Sequence, residues 1–259
     1  MKIYVTTAES RFAGLMSYFL QTVGSLNLLT EDSDKFYVKF DYNMLYQDPK
    51  YGKNVWEYYF HQPFNISKEE AESVEKIIDI GRPGRLDLNY TLNSIEHAHF
   101  IVNKYIHLKD HIKDKIESFL KLNVGSGEKL LAVHKRGTDH INDAPILPIT
   151  KYFDAVDAII DNYDKLLICS DEEYSVEAFK ERYKDKVIYY NSIRATEPTA
   201  VGIHHSIGLK DPYKMGEDVV IETYLMARAD YLIRTTSNVS YASIIIGKNV
   251  DRYLDIENA

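Results

Sequence analysis

The stretch Leu130 to His140, LLAVHKRGTDH, opens as a buried strand and ends in His134, Lys135, Arg136, Gly137, Thr138, Asp139 and His140. A solvated turn needs a Gly and an Asp, and neither cations nor imidazoles. Arginine presents a planar fork of five N–H donors, the arrangement that grips a phosphate or diphosphate. Imidazole titrates near neutral pH, so His140 suits proton transfer, while Asp139 suits the orientation of the turn. Two more strand-like runs end in polar clusters. KLLICS leads into Ser170, Asp171 and Glu172, and YLIRT leads into Thr235, Thr236, Ser237 and Asn238. Hydroxyls at a helix start, together with Arg136, would make a diphosphate site, because helix N–H groups favour an anion. Asp171 is placed to accept hydrogen bonds from a base with N–H donors, such as guanine. Taken singly, Ser170-Asp171 and Thr236-Ser237 also read as helix caps. Their coincidence at three strand ends is what points to a site.

Those ends converge only if the strands lie side by side. From Lys129 onward, the strand KLLAVH is followed by a helix from Thr150, the strand KLLICS and a helix from Glu173. The strand KVIYYN, a helix from Met215, the strand YLIRT and a short helix from Ser237 complete the alternation. Apolar strands alternating with helices imply a parallel sheet covered on both faces. Ligands of such sheets sit beyond the carboxyl ends of the strands. The N-terminal half is less regular, with strands at KIYVTT and KFYVKFDY and a helix from Phe12 to Leu29. A capping-box helix starts at Ser67, Gly81 to Asp87 reads as a loop, and Thr91 to Leu122 carries one bent helix or two. The Gly125-Ser126-Gly127 joint divides an α/β segment 1–124 from a doubly wound segment 125–259.

Composition narrows the class. A chain of 259 residues with a formal charge of −8 fits one large or two compact domains and argues against a bulk nucleic-acid partner. The single Cys169 excludes an intramolecular disulfide and suits a reducing compartment. Met1 runs directly into a strand pattern, and no apolar run reaches the about 20 residues of a membrane span. The expectation is a soluble, cytoplasmic protein. Its oligomeric state is not encoded in any recognisable pattern.

Four fragments resemble sites and lack their essentials. VGSGEK has the glycines of a phosphate loop, but Glu128 interrupts it, Leu130 replaces the hydroxyl residue, and it precedes a strand. Asp32-Ser33-Asp34 has metal-binding D-x-D spacing, yet it stands before an apolar strand rather than after one. His97 and His99 lie two apart, which on a helix directs them to different faces, and His204-His205 lacks further ligands. No metal and no cofactor are expected.

VHKRGTDH resembles the His-x-Arg-x-x-Asp signature of the α1,6-fucosyltransferase, protein O-fucosyltransferase and NodZ superfamily. LLICSDEEYSVEAFKERYKDKVIYY and GEDVVIETYLMARADYLIRTTSNVSYAS are similar to that superfamily's later motifs, and the resemblance spans about Leu131 to Gly247. It implies a GT-B-like fold, two α/β domains facing across a cleft, and inverting, metal-independent transfer of fucose from GDP-fucose to a glycan hydroxyl. The same motifs leave room for GDP-mannose, a rhamnosyl nucleotide or a UDP-sugar, and for a binding module without turnover. By this resemblance Arg136 holds the donor phosphates, His134 contacts the nucleoside, Asp171 reads the base, and Thr236 and Ser237, with Asn238 beside them, lie near the β-phosphate. Asp143 falls where related α1,6 enzymes carry a carboxylate, as the general base, with Asp139 and His140 as competitors. The first half would supply the acceptor surface, with Arg11, Trp56, Tyr58 and Tyr59 as candidates, although core packing is the expected fate of most of these aromatics. Two departures stand out: Gly137 replaces a second arginine, and His140 replaces a lysine.

Overall fold

The computed structural model describes residues 3–7, 13–27, 34–41, 45–73, 77–79, 92–137, 147–196, 211–247 and 252–257. The chain divides into two compact units, Met1–Lys113 with Lys210–Glu217, and Asp114–Leu209 with Asp218–Ala259.

In the first unit, strands β1 (Ile3–Thr7), β2 (Lys35–Lys39) and β3 (Ile77–Asp79) form a parallel sheet in the order β2-β1-β3. Helix α1 (Leu15–Leu26) is apolar along most of its length, with Leu15, Phe19 and Val23 buried. Short helices α2 (Trp56–Tyr59) and α3 (Lys68–Glu72) follow, and Ser67 caps α3 by accepting the Glu70 N–H at 3.0 Å. The long helical pattern resolves into two helices, α4 (Leu92–Tyr105) and α5 (Asp110–Asn123). They are separated because the intervening backbone pairs with another segment. Leu108 bridges Phe60, the His61 N–H donates to the His107 carbonyl at 2.9 Å, and the Lys109 N–H donates to the Tyr59 carbonyl at 2.9 Å.

The second unit holds β4 (Leu130–Lys135), β5 (Lys165–Ser170), β6 (Val187–Ile188), β7 (Tyr231–Arg234) and β8 (Tyr253–Asp255). All pairings are parallel, in the order β6-β5-β4-β7-β8. Helices α6 (Ile149–Asp157), α7 (Glu173–Tyr183), α8 (Pro212–Met226) and α9 (Asn238–Ile246) connect or flank them. The order reverses direction between β4 and β7, and ligands of doubly wound sheets sit at that switch. Alternation along the strands sends Leu131, Val133, Leu166, Ile168 and Ile233 to one face. There they pack against Tyr152 and Val156 of α6 and Val176 and Phe179 of α7. Each fully buried side chain of this size contributes roughly 1.5–3 kcal/mol. The strands β3 and β8 were not expected from sequence. Each is three residues long, too short for an apolar run to announce it. No described helix is long and apolar enough to cross a membrane.

Candidate functional site

The sheet register sets the site. His134 lies opposite Cys169 on one side and Arg234 on the other, and Lys135 lies opposite Ser170. Three chain segments therefore leave the sheet at the same level, carrying Arg136 after β4, Asp171 after β5, and Thr235 and Thr236 after β7. Period-two alternation continues the apolar face through Leu131 and Val133 to Lys135. At that point the core must be closed by polar groups. The Lys135 Nζ meets Glu172 Oε2 at 2.5 Å, and both side chains are almost wholly buried. Ser175 Oγ donates to the same carboxylate oxygen at 2.8 Å. The ammonium also lies 5.5 Å from the Tyr174 ring centroid and 6.0 Å from that of Tyr152. The Tyr152 hydroxyl in turn donates to Thr235 Oγ1 at 3.3 Å.

Burial would raise the pKa of Glu172, but Lys135, Tyr174 and Ser175 outweigh it and hold the carboxyl below its usual range. Removing one partner of such a pair strands a buried charge, at a cost of about 3–5 kcal/mol. Glu172 also stands over the position of the first departure from the fucosyltransferase signature. A Cβ placed on Gly137 would lie 1.9 Å from the Glu172 carboxyl carbon, so a side chain there would require that ion-paired carboxylate to move. The Gly137 N–H donates to Asp171 Oδ1 at 3.0 Å, which ties the β4 loop to the β5 turn.

A second brace is an arginine for which the sequence held no spacing signal. Arg194, in the segment after β6, donates to the carbonyls of Ser170 at 3.1 Å, Tyr190 at 2.6 Å and Ser192 at 3.3 Å. Its guanidinium also reaches Glu222 Oε1 at 2.9 Å. The adjacent backbone pairs on both sides of the Asp171 turn. The Ala195 N–H donates to the Asp171 carbonyl at 2.8 Å, and the Glu173 N–H to the Ala195 carbonyl at 2.9 Å. Burial pushes the Glu222 carboxyl up to about 7, although Arg194 and Ser192 oppose that shift.

At the end of β7 the plain reading of Ser237 is realised. Its Oγ caps α9 by accepting the Ser240 N–H at 3.0 Å. The Thr236 N–H donates to Glu257 Oε1 at 2.9 Å, and Glu257 comes from the segment after β8. Asn238 opens α9 and is half-buried.

Of the residues expected at the site, Arg136 stands just beyond β4 and is half-buried, and His134 is buried within the strand. Asp171, Thr236, Ser237 and Asn238 lie at the same carboxyl edge of the sheet. Asp139, His140 and Asp143 fall outside the described residues, as does Arg11. Three nearby cations are already paired: Lys135 with Glu172, Arg194 with Glu222, and Arg234 with Asp255 at 3.0 Å. Arg234 was not singled out in the sequence, and its register opposite Asp255 gives it a structural partner. The aromatic candidates for an acceptor surface take the core role expected of most of them. Trp56, Tyr58 and Tyr59 are buried, and Trp56 stacks on Phe60 with centroids 4.4 Å apart. Asp34 is buried at the start of β2. His97 and His99 bond separately to Asn27 at 2.6 Å and Asn103 at 2.7 Å. Among the described residues no three His, Cys, Asp or Glu side chains are grouped to hold a metal ion.

Strand order and a polar carboxyl edge define a doubly wound α/β sheet. No family model matches the chain, and no curated protein matches its sequence. Its fold is nonetheless that of solved fucosyltransferases. The NodZ α1,6-fucosyltransferase soaked with GDP-fucose matches with a TM-score of 0.60 at 13% identity, over 95% of this chain and 92% of that one. Fucosyltransferase NodZ from Bradyrhizobium gives 0.59 at 14% identity, over 100% and 96% of the two chains. POFUT1 in complex with GDP gives 0.56 at 11% identity, over 98% of each. The α/β, GT-B-like fold expected from the sequence is the fold these proteins share with this chain.

Proposed function

We propose that this protein is an inverting, metal-independent glycosyltransferase that transfers L-fucose from GDP-fucose to a glycan hydroxyl. The observation that carries this reading is the meeting of Arg136, Asp171 and the Thr236–Asn238 turn at one sheet edge, at the topological switch. The fold likeness to proteins solved with GDP or GDP-fucose supports it. In this reading Arg136 stabilises the charge growing on the departing diphosphate, reinforced by backbone N–H groups and hydroxyls at the start of α9. Asp143 takes the acceptor proton, with Asp139 and His140 as its competitors. Residues 125–259 bind the donor and residues 1–124 serve the acceptor, in a cytoplasmic setting. With Trp56, Tyr58 and Tyr59 in the core, another surface of the first segment must meet the glycan.

A thermal-shift panel of GDP-, UDP- and dTDP-sugars tests the donor. A ligand at a hundredfold excess over its Kd stabilises native protein by about 2.7 kcal/mol. A shift with GDP-fucose above the others supports the reading, whereas a preference for GDP-mannose, a rhamnosyl nucleotide or a UDP-sugar moves the donor. Transfer that survives excess EDTA supports metal independence. Loss on chelation with recovery on Mn²⁺ contradicts it. One observation favours a second reading, a nucleotide-sugar-binding module without turnover: Gly137 stands in place of the second arginine, with the Glu172 carboxylate against it. Donor consumption in the presence of glycan separates the two.

A further inference from the structure

Each of the three strand ends carries a buried polar residue directly next to a residue of the proposed donor site. Lys135 precedes Arg136, Glu172 follows Asp171, and Thr235 precedes Thr236. The buried members are linked, Lys135 to Glu172 at 2.5 Å, and Lys135 over the Tyr152 ring whose hydroxyl donates to Thr235 at 3.3 Å. We infer that the Lys135–Glu172 pair is a positioning device for the donor site, fixing how Arg136 is presented. This rests on the donor reading above and adds residues that touch no ligand themselves.

Three observations support the inference. First, the pair lies at the point where alternation hands the strand over to the loop. If Lys135 turned out of the core, Arg136 would turn with it, because consecutive residues project to opposite faces. Second, the Glu172 carboxylate occupies the space above Gly137, 1.9 Å from where a Cβ would stand. Gly137, the residue after Arg136, thus lies against that carboxylate and is tied to Asp171, whose Oδ1 accepts the Gly137 N–H at 3.0 Å. Third, Glu172 is fixed from its own side by Ser175 at 2.8 Å, and its backbone N–H donates to Ser170 Oγ at 3.2 Å. With its carboxylate held by Lys135 and Ser175 and its backbone by Ser170, Glu172 gives Gly137 a fixed surface to lie against. A buried ion pair adds little net stability over apolar residues of similar size, so its value here lies in geometry.

The experiment measures GDP affinity by calorimetry, with Tm recorded for every variant. Lys135→Met/Glu172→Met replaces the pair with apolar residues of similar length. Glu172→Asp keeps the charge and withdraws it by one methylene, in case the double variant does not fold. Both are expected to weaken GDP binding at least tenfold while the protein stays folded, with the loss in KM for the donor larger than that in kcat. Introduced into an Arg136→Lys background, the same changes are expected to cost less than twofold, because a group that acts through the guanidinium has little left to position. The inference is overturned if a folded variant binds GDP within twofold of the unmodified protein, or if the loss is equal in both backgrounds. Unmodified protein that binds no GDP would overturn the donor reading itself, and the inference with it.

Discussion

The Glu257 carboxylate accepts the backbone N–H of Thr236 at 2.9 Å, at the turn that opens α9. A carboxylate of the protein thus occupies a donor group that an incoming phosphate would use. One N–H cannot serve both, and the two anions repel each other. Glu257→Gln is therefore expected to tighten GDP binding roughly three- to tenfold, about 0.6–1.4 kcal/mol, with the gain shrinking at high salt. Calorimetry at two ionic strengths measures it. Unchanged or weaker binding would place the diphosphate away from this turn.

Arg136 carries the heaviest expectation. Arg136→Ala should lower transfer by at least roughly 10²–10³ while the protein stays folded, the loss typical of removing a main stabiliser of developing charge. Arg136→Lys should recover little, since a point charge cannot reproduce a bidentate fork. Initial rates with saturating glycan decide it, and near-normal rates for the alanine variant would remove Arg136 from the site.

The proton acceptor is tested separately. Asp143→Asn should cut kcat by roughly 10²–10⁴ with donor affinity almost unchanged, as expected when only a general base is lost. Normal turnover by this variant, with loss in His140→Ala or Asp139→Asn, would reassign the base within the same loop.

Glu222 links stability to pH. Burial holds its folded pKa at about 7, above the ordinary 4.5 of a glutamate. Between those values the folded chain binds more protons at this position than the unfolded chain does, so this contribution to stability falls as pH rises through the window. The groups facing the carboxyl include Arg194, Ser192, Asp218 and Asp171. Glu222→Gln, which preserves an acceptor for Arg194, should flatten the decline in Tm between about pH 5 and pH 7. A wild-type Tm that climbs over that range, with no change of slope in the variant, would show that the carboxyl is ionised throughout.

Local sequence determined most of the strands and helices and the residues that leave the strand ends. Apolar runs, period-two alternation and caps such as Ser67 and Ser237 are local properties, readable wherever the chain happens to lie. LLAVH ending in Arg136 and KLLICS ending in Asp171 were legible for that reason, and the fucosyltransferase-like motifs followed from them. The tertiary structure decided what those residues meet. Only strand order places β4 between β5 and β7 and brings the ends carrying Arg136, Asp171 and Thr236 to one level. Only packing puts Glu172 over Gly137, stretches Arg194 across the β5 turn and delivers Glu257 from the last strand. Tyr58 and Tyr59 show the same limit in reverse. An aromatic run more often packs a core than carries a sugar, and burial is fixed by partners distant in the chain, such as the Tyr213 carbonyl that accepts the Tyr59 hydroxyl at 2.8 Å. Periodicity tells a residue which face it occupies, whereas what lies against that face depends on how segments far apart in sequence pack together.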